Sequence, residues 1–261
     1  MPQIPDQFLN SVVILLDKFA RPQGTAFVLR SGGPDAGAGQ DCFLVTCEHC
    51  THVATIARFA NGFVLTLNEN DWFIPRNGDD IAVLDVSDVF DDAAGGIGHI
   101  EIYKTIHVPD QNFNIGCELY MLGLLLDVDD IGENVPRARF GNLSAFASAN
   151  VHLEQGNKRK RPCHLGDMRS RTGFSGAPVI AYIDVATWGG RPKSEARLLG
   201  MHCAQHRERI TLFGNNSWAE AEIASSMTRI VPATSIWDFV VKLGPVQEAR
   251  RMQRKLRGNE T

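Results

Sequence analysis

Three short segments of the chain carry the residue types needed for nucleophilic attack on a carbonyl group. His49 follows an apolar run, Asp80 opens another apolar run, and Ser175 stands between two glycines. A serine hydroxyl becomes a nucleophile when a histidine takes its proton and a buried carboxylate orients that histidine. The three residues therefore predict acyl transfer through a covalent intermediate. Asp79, one residue away, is an alternative for the orienting acid.

The glycines around Ser175 predict a second part of the same chemistry. Gly173 permits a turn in which its own N–H and that of Ser175 point to one spot. Two such donors form an oxyanion hole, which lowers an acyl-transfer barrier by about 3 kcal/mol. Without the other two segments, a serine between glycines would predict only a turn.

The three segments resemble the motifs of the trypsin-like serine proteases. TCEHC at 46–50 is similar to the TAAHC box of that family, and GFSGAP at 173–178 is similar to GDSGGP. DIAVLDV at 80–86 resembles the strand that begins with the catalytic aspartate. GTAFVL and LLGMHCA resemble the strands before the histidine and after the serine. The short spacing of 31 residues between His49 and Asp80 is closest to the bacterial glutamyl-endopeptidase and high-temperature-requirement branches.

The resemblance implies an all-β chain of two six-stranded antiparallel barrels of the trypsin-like type with a C-terminal helix. Residues 1–105 are expected to form the first barrel, with His49 and Asp80, and residues 106–234 the second, with Ser175. A helix and a basic tail are expected over 235–261. Apolar runs every 8–15 residues or so, separated by glycine and proline turns, independently favour a barrel or sandwich.

The apolar runs give explicit expectations for the elements. Strands are predicted over residues 11–17, 24–30, 41–46, 54–60, 62–67, 80–86, 116–126, 137–147, 177–184 and 197–204. Loops are predicted over 31–40, 88–98 and 185–196, a connection between the halves over 106–114, and helices over 235–243 and 246–256.

The resemblance also implies where a substrate side chain would bind. Arg169 and Ser170 would form the pocket floor, and the strand His202, Cys203, Ala204 would form a wall. An arginine would repel a basic side chain, while a hydroxyl facing an imidazole can bond a carboxylate or carboxamide. Cleavage after Glu, then Gln or Asp, is therefore expected, with the peptide added as a strand near Ala204. The alternative is that His202 is a satisfied core histidine and Arg169 points to solvent.

Two departures from the family pattern bear on regulation. Phe174 stands where activated trypsins carry an aspartate that pairs with a new N-terminus, so activation by N-terminal trimming is not expected. Cys42 lies just before the histidine box, so the usual tether of Cys50 lacks an obvious partner. The six cysteines are expected to be reduced.

Two further function classes remain open. The first is a trypsin-like fold that has lost catalysis and serves as a binding module. The second is a zinc-stabilised interaction domain, with candidate ligands Cys47, His49, Cys50 and His52, and a second group at His202, Cys203 and His206. The second group lacks the paired spacing of structural zinc sites, so neither metal nor cofactor is expected.

Composition sets the outer bounds. The 261 residues carry a net charge of −4, which argues against a polybasic nucleic-acid binder. No apolar run reaches the ~18 residues of a membrane span, and residues 1–10 lack the basic start of a secretory signal. A cytoplasmic bacterial enzyme acting on protein or peptide substrates is expected. A regulatory protein partner, an inhibitor and a closed cleft are three alternative ways of restraining it. The basic run at 157–161 is expected to be a solvated loop, or alternatively a cleavage or docking site.

Overall fold

The chain is an all-β protein with a short helix at its C-terminal side. The structure, a computed structural model, describes residues 3–32, 41–92, 97–102, 104, 113–124, 136–148, 152–153, 161–185, 193–214 and 217–243. The strands are β1 Val12–Leu16, β2 Pro22–Arg30, β3 Cys42–Thr46, β4 Ile56–Arg58, β5 Val64–Thr66, β6 Ala82–Asp85, β7 Ile100–Glu101, β8 Glu118–Gly123, β9 Arg137–Ala145, β10 His152–Leu153, β11 Arg161–Pro162, β12 His164–Asp167, β13 Pro178–Val185, β14 Lys193–Gly214 and β15 Ser217–Pro232. The α-helices are α1 Asp6–Asn10, α2 Glu48–Thr51, α3 Ser87–Asp92 and α4 over 233–243.

The first half is one antiparallel sheet that carries the histidine and the aspartate. Its strand order is β5-β4-β1-β2-β3-β6, and β7 adds to β2 in parallel. Strand β3 is fully buried because it pairs with β2 on one side and β6 on the other. The end of β3 and the start of β6 therefore lie side by side, with Thr46 opposite Ala82.

The second half is a closed barrel that carries the serine. Its strands follow the order β12-β15-β14-β13-β8-β9, with each neighbouring pair antiparallel. Among the described strands, this second sheet closes on itself while the first stays open from β5 to β6. Two six-stranded barrels were expected. Among the described strands, the second half forms a closed six-stranded barrel, whereas the first half forms an open sheet.

The largest hydrophobic core joins the two halves. Its buried members include Val28 and Leu44 from the first sheet and Leu122, Ile180 and Met201 from the second. A second cluster fills the barrel itself and includes the buried Phe174.

The expected trypsin-like all-β fold is confirmed, but several element predictions were wrong. Residues 88–98 do not form a loop throughout, because Asp85 accepts the N–H of Ser87 at 3.0 Å and starts α3. Residues 193–196, predicted as loop, form strand β14 and pair with the end of β13. Helix α1, strand β12 and the pairing of β14 with β15 beyond Ala204 were not predicted.

Other predictions fall partly or wholly outside the described residues. These are the helix over 246–256, most of the connection over 106–114 and the basic run at 157–160. The first sheet ends at Glu101 and the second begins at Glu118, so the division at 105/106 lies between them. In the described part of the chain, no helix has the length and apolarity to cross a membrane.

Candidate active site

His49 and Asp80 form a hydrogen-bonded pair next to the point where the end of β3 and the start of β6 lie side by side. Cys47, in extended conformation, ends the strand and caps α2, which places His49 in the first turn of that helix. The His49 Nδ1–H donates to Asp80 Oδ2 at 2.8 Å, and the His49 backbone N–H donates to Oδ1 at 3.2 Å. The Asp80 carboxylate is 4% exposed and the imidazole 45% exposed. The arrangement is that of an orienting acid behind an accessible base.

The neighbouring Asp79 is placed differently. Its carboxylate accepts the Asn77 side-chain amide at 2.9 Å, and its N–H donates to Asn77 Oδ1 at 3.1 Å. These bonds hold Asp79 in the turn that precedes β6. Of the two candidate acids, Asp80 is the one that contacts His49.

The Asp80 contact dominates the electrostatics of His49. The hydrogen bond to Asp80 raises the pKa of His49 to about 10, with a smaller contribution from the Cys50 thiol. A raised pKa is the expected response of an imidazole whose charged form bonds to a buried carboxylate. In the free protein at neutral pH, His49 is therefore held largely as the imidazolium.

Ser175 lies in a tight turn whose shape requires glycine on both sides. Gly173 and Gly176 have φ of 100° and 84°, a left-handed region that favours glycine. A Cβ on Gly176 would collide with the Thr25 carbonyl oxygen and the Thr46 hydroxyl. The Gly176 N–H donates to the His202 carbonyl oxygen at 2.9 Å, which ties the turn to β14.

The first half of the chain holds this turn through Thr25 of β2. The Thr25 N–H donates to the Ser175 carbonyl oxygen at 2.9 Å, and its hydroxyl donates to the Gly173 carbonyl oxygen at 2.6 Å. Thr46 in turn donates its hydroxyl to the Thr25 carbonyl oxygen at 2.7 Å. Sequence reasoning missed Thr25, although a threonine within the apolar run GTAFVLR was a signal. Buried hydroxyls need partners, and here the partner is the nucleophile turn.

The turn leaves two backbone donors available at Ser175. Among the described residues, neither the Gly173 N–H nor the Ser175 N–H donates to a protein acceptor, whereas the Phe174 N–H donates to Arg171 at 3.2 Å. The Phe174 side chain is buried in the barrel core. Two unpaired donors on either side of a serine are the chemical requirement of an oxyanion hole.

Ser175 and His49 approach each other without a direct hydrogen bond. The Cys50 thiol, next to His49 in α2, lies 3.8 Å from the Ser175 carbonyl oxygen. Within the described part of the chain, no hydrogen bond joins the Ser175 hydroxyl to His49. Such bonds are often long until substrate binds, so the missing bond does not exclude His49 as the base for Ser175.

Two thiols flank His49 and offer metal-ligand atoms. Ligand atoms of Cys47, His49 and Asp80 lie within 4.8 Å of one another. Burial raises the pKa of Cys47, while hydrogen bonds from Cys47 and His49 lower the pKa of Cys50 to about 6. A metal ion here would have to replace the proton between His49 and Asp80.

Two other candidate zinc ligands, His52 and His206, do not join the group formed by Cys47, His49 and Asp80 among the described residues. The exposed His52 ring contacts Glu69 at 3.3 Å, and His206 accepts from the Arg229 guanidinium at 3.3 Å. Those two histidines have partners of their own, away from the buried thiols.

A buried polar triad lies in the second barrel beside the nucleophile turn. His202 Nε2 bonds to the Ser170 hydroxyl at 2.7 Å, and Nδ1 bonds to the Thr228 hydroxyl at 2.6 Å. Burial lowers the pKa of His202 to about 4, so the imidazole is neutral, with one donor and one acceptor nitrogen. The contact fits the expected facing of Ser170 and His202, and it equally fits the alternative of a satisfied buried histidine.

The remaining pocket candidates are placed as follows. Arg169 is exposed, as the alternative reading of that position expected, whereas Ser170 is buried. The Cys203 thiol donates to the Arg229 carbonyl oxygen at 3.3 Å, and burial raises its pKa. A bulge at Cys203 shifts the register of β14 between His202 and Ala204. Sequence reasoning missed Thr228 because β15 was not predicted.

Comparison with known proteins finds solved structures that are similar in fold to this chain, but no matching family or sequence. No family model matches the chain, and no curated protein sequence matches it. The inactive form of the Rv3671c protease is similar with a TM-score of 0.52 and 14% identity, over 92% of this chain and 91% of that chain. The active form of the same protease from M. tuberculosis has a TM-score of 0.52 and 14% identity, over 92% and 83%. The chain therefore has the fold of the trypsin-like serine proteases.

Proposed function

We propose that the chain is a serine endopeptidase in which Ser175, His49 and Asp80 form the catalytic triad. The single observation that carries the proposal is the 2.8 Å bond from His49 Nδ1 to the buried Asp80, in the crevice that also receives Ser175. A buried carboxylate that fixes the imidazole tautomer leaves Nε2 free to act as base. The unpaired N–H groups of Gly173 and Ser175 supply the oxyanion donors.

The reaction follows from these positions. Neutral His49 takes the proton of the Ser175 hydroxyl while the oxygen attacks the peptide carbonyl carbon. The resulting oxyanion accepts from Gly173 and Ser175 N–H. The C–N bond then breaks as the His49 imidazolium gives its proton to the leaving amine. Water, activated by the same imidazole, hydrolyses the acyl-enzyme and restores the hydroxyl.

A fluorophosphonate probe tests the nucleophile directly. Covalent labelling at Ser175 is expected in the wild-type protein, and loss of both labelling and peptide cleavage is expected in Ser175→Ala. Ser226→Ala, at an exposed serine of β15, is the matched control and should label normally. Cleavage retained by a correctly folded Ser175→Ala protein would overturn the assignment.

The pocket supports a preference for Glu or Gln on the amino side of the cut bond. A carboxylate or carboxamide reaching Ser170 would meet its hydroxyl and the Nε2 edge of His202, whose ring Thr228 holds through Nδ1. Ser170 and His202 offer no negative charge to a basic substrate side chain. Cleavage of a peptide library, read by mass spectrometry, tests this preference. Dominant cuts after Lys, Arg or aromatic residues would exclude it.

A catalytically silent binding module is the second candidate, and one observation favours it. The Ser175 hydroxyl is not bonded to His49 among the described residues, and His49 holds its proton through a pKa of about 10. A protein that binds extended peptides without cutting them would keep this arrangement. The fluorophosphonate result separates the two candidates.

A further inference from the structure

The β14–β15 pair continues well beyond the barrel. Strand β13 accompanies β14 only as far as Met201, and β12 accompanies β15 only over Met227–Ile230. The two long strands still pair from Arg207 with Ala224 to Gly214 with Ser217. We name the paired segments 207–214 and 217–224 the arm. Among the described strands, none pairs with the outer edges of the arm.

The two faces of the arm carry different proportions of apolar and charged side chains. On one face, Ile210 pairs with Ala221, and Leu212 (49% exposed) and Ile223 (42% exposed) lie beside them; Glu208, which pairs with Ile223, is the charged residue of this face. The opposite face carries Arg209 across from Glu222 and Thr211 across from Glu220, together with the exposed Phe213. None of these residues belongs to either hydrophobic cluster of the described core.

The arm has exposed apolar side chains and a strand edge that no described strand pairs with, and another chain could bury both. An isolated two-stranded hairpin is marginally stable in water, and unpaired strand edges are templates for added strands. Its ion pairs, Arg209 with Glu222 at 3.5 Å and Arg207 with Glu222 at 3.8 Å, are exposed and contribute little. The amphipathic face and the open edge therefore both remain available.

The open edge of β14 is continuous with the candidate substrate pocket. His202 of the pocket and Ala204, where a peptide is expected to add, lie on the same strand as the arm. Under the proposed function, the side chain before the cut bond reaches Ser170 and His202. A peptide that pairs antiparallel with β14 from that point then extends its amino side along β14 toward Gly214.

We propose that the arm is an extended substrate-binding strand, whose β14 edge from Gln205 to Leu212 binds a polypeptide segment on the amino side of the cut bond by strand addition. At about 3.3 Å per residue, this edge accommodates roughly eight substrate residues. Alternate side chains of that segment lie over Ile210 and Leu212, so apolar residues at alternating positions are the chemistry it selects. The inference rests on the proposed function and defines its substrates as extended or unfolded polypeptides rather than short peptides.

Matched variants on the two faces test the proposal. Leu212→Lys is expected to lower kcat/KM for a twelve-residue peptide about tenfold while leaving a four-residue peptide unchanged. Glu220→Lys, at an exposed residue on the opposite face and on β15 rather than on the binding edge of β14, should leave kcat/KM for both peptides unchanged. Replacement of residues 208–223 by Asn-Gly, which forms a two-residue hairpin turn, should make kcat/KM for the twelve-residue peptide equal to that for the four-residue peptide. Equal loss in both lysine variants, or no loss in either, would overturn the proposal.

A binding measurement separates this inference from the proposed chemistry. Fluorescence anisotropy of the labelled twelve-residue peptide on Ser175→Ala should show binding at least tenfold tighter than that of the four-residue peptide, with the gain lost in Ser175→Ala/Leu212→Lys. This readout needs no cleavage. Equal binding of both peptides would exclude the extended strand even in an active protease. A concentration-dependent dimer that Leu212→Lys abolishes would assign the apolar face to a second copy instead and overturn the proposal.

Discussion

The Thr25 backbone N–H donates to the Ser175 carbonyl oxygen at 2.9 Å, so a strand of the first sheet holds the nucleophile turn of the second barrel. The Thr25 hydroxyl adds a second bond, to the Gly173 carbonyl oxygen, and accepts the Leu124 N–H at 3.1 Å. One fully buried side chain of the first sheet thus satisfies two backbone groups of the second half.

Replacing Thr25 by Val should misplace the turn while preserving its volume. The change leaves the Gly173 carbonyl and the Leu124 N–H without their partner, at a cost of about 1–3 kcal/mol in unfolding free energy. We expect kcat to fall at least tenfold with KM nearly unchanged, because a positioning bond is lost. Thr66→Val, at an exposed threonine of β5, should alter neither quantity. A variant that is destabilised but retains full kcat would limit Thr25 to a structural role.

The His49–Asp80 pair predicts an alkaline pH dependence of activity. Because the pKa of His49 is raised to about 10 and only the neutral imidazole can act as base, kcat/KM should rise from pH 7 towards pH 10 and then level off. Asp80→Asn removes the main cause of the shift, so its rise should move to lower pH and its plateau should drop. A pH–rate profile that is flat between pH 7 and pH 10 in the wild type would contradict this expectation.

The same pair predicts the pH dependence of stability, with the opposite sign. The folded pKa of His49 lies above its ordinary value, so the pair's stabilisation is fully present below about pH 6.5. It is lost as the pH rises through about 10. The difference in Tm between wild type and His49→Gln should therefore be largest near pH 6 and shrink towards pH 10. A difference that grows with pH would show that another group dominates.

Gly176 and Gly62 offer a matched test of the nucleophile turn. Both have positive φ, 84° and 86°, but a Cβ on Gly176 would meet Thr25 and Thr46, whereas one on Gly62 meets nothing within 4 Å. Gly62→Ala should cost about 1 kcal/mol from backbone strain alone. Gly176→Ala should cost several times as much and abolish labelling of Ser175, because the turn must move. Similar urea-unfolding midpoints for the two variants would show that the turn relaxes without loss.

The neutral His202 predicts a pH-dependent choice between Glu and Gln. Because burial lowers the pKa of His202 to about 4, acidification from pH 7 to pH 5 begins to favour its protonated form when a carboxylate occupies the pocket. The ratio of kcat/KM for Glu over Gln substrates should therefore rise as the pH falls, while the His49 effect cancels in the ratio. Thr228→Val, which removes the bond to His202 Nδ1, should weaken this trend. A ratio independent of pH in the wild type would remove His202 from recognition.

The sequence predicts those site residues best whose positions depend on neighbouring strands rather than on residues far away along the chain. His49 and Asp80 each sit at the end of a buried strand, and neighbouring strands of one sheet bring such ends together. Thr25 and Thr228 act through contacts 148 and 26 residues away along the chain, and a local pattern contains no sign of such partners. The arm was missed because Arg207, Glu208 and Arg209 interrupt the apolar run. These three consecutive residues place charge on both faces of β14, which a strand tolerates where no core covers it.

The shared core and the bonds from Thr25 and Cys50 to Ser175 make the order of folding matter. A nascent chain that has only its first half has no nucleophile, and a fragment that has only its second half has a serine turn without its anchor. The proposed triad therefore comes together only after both halves have docked. Under the proposed function, a partly synthesised chain could not cleave its neighbours, because completed folding itself forms the site.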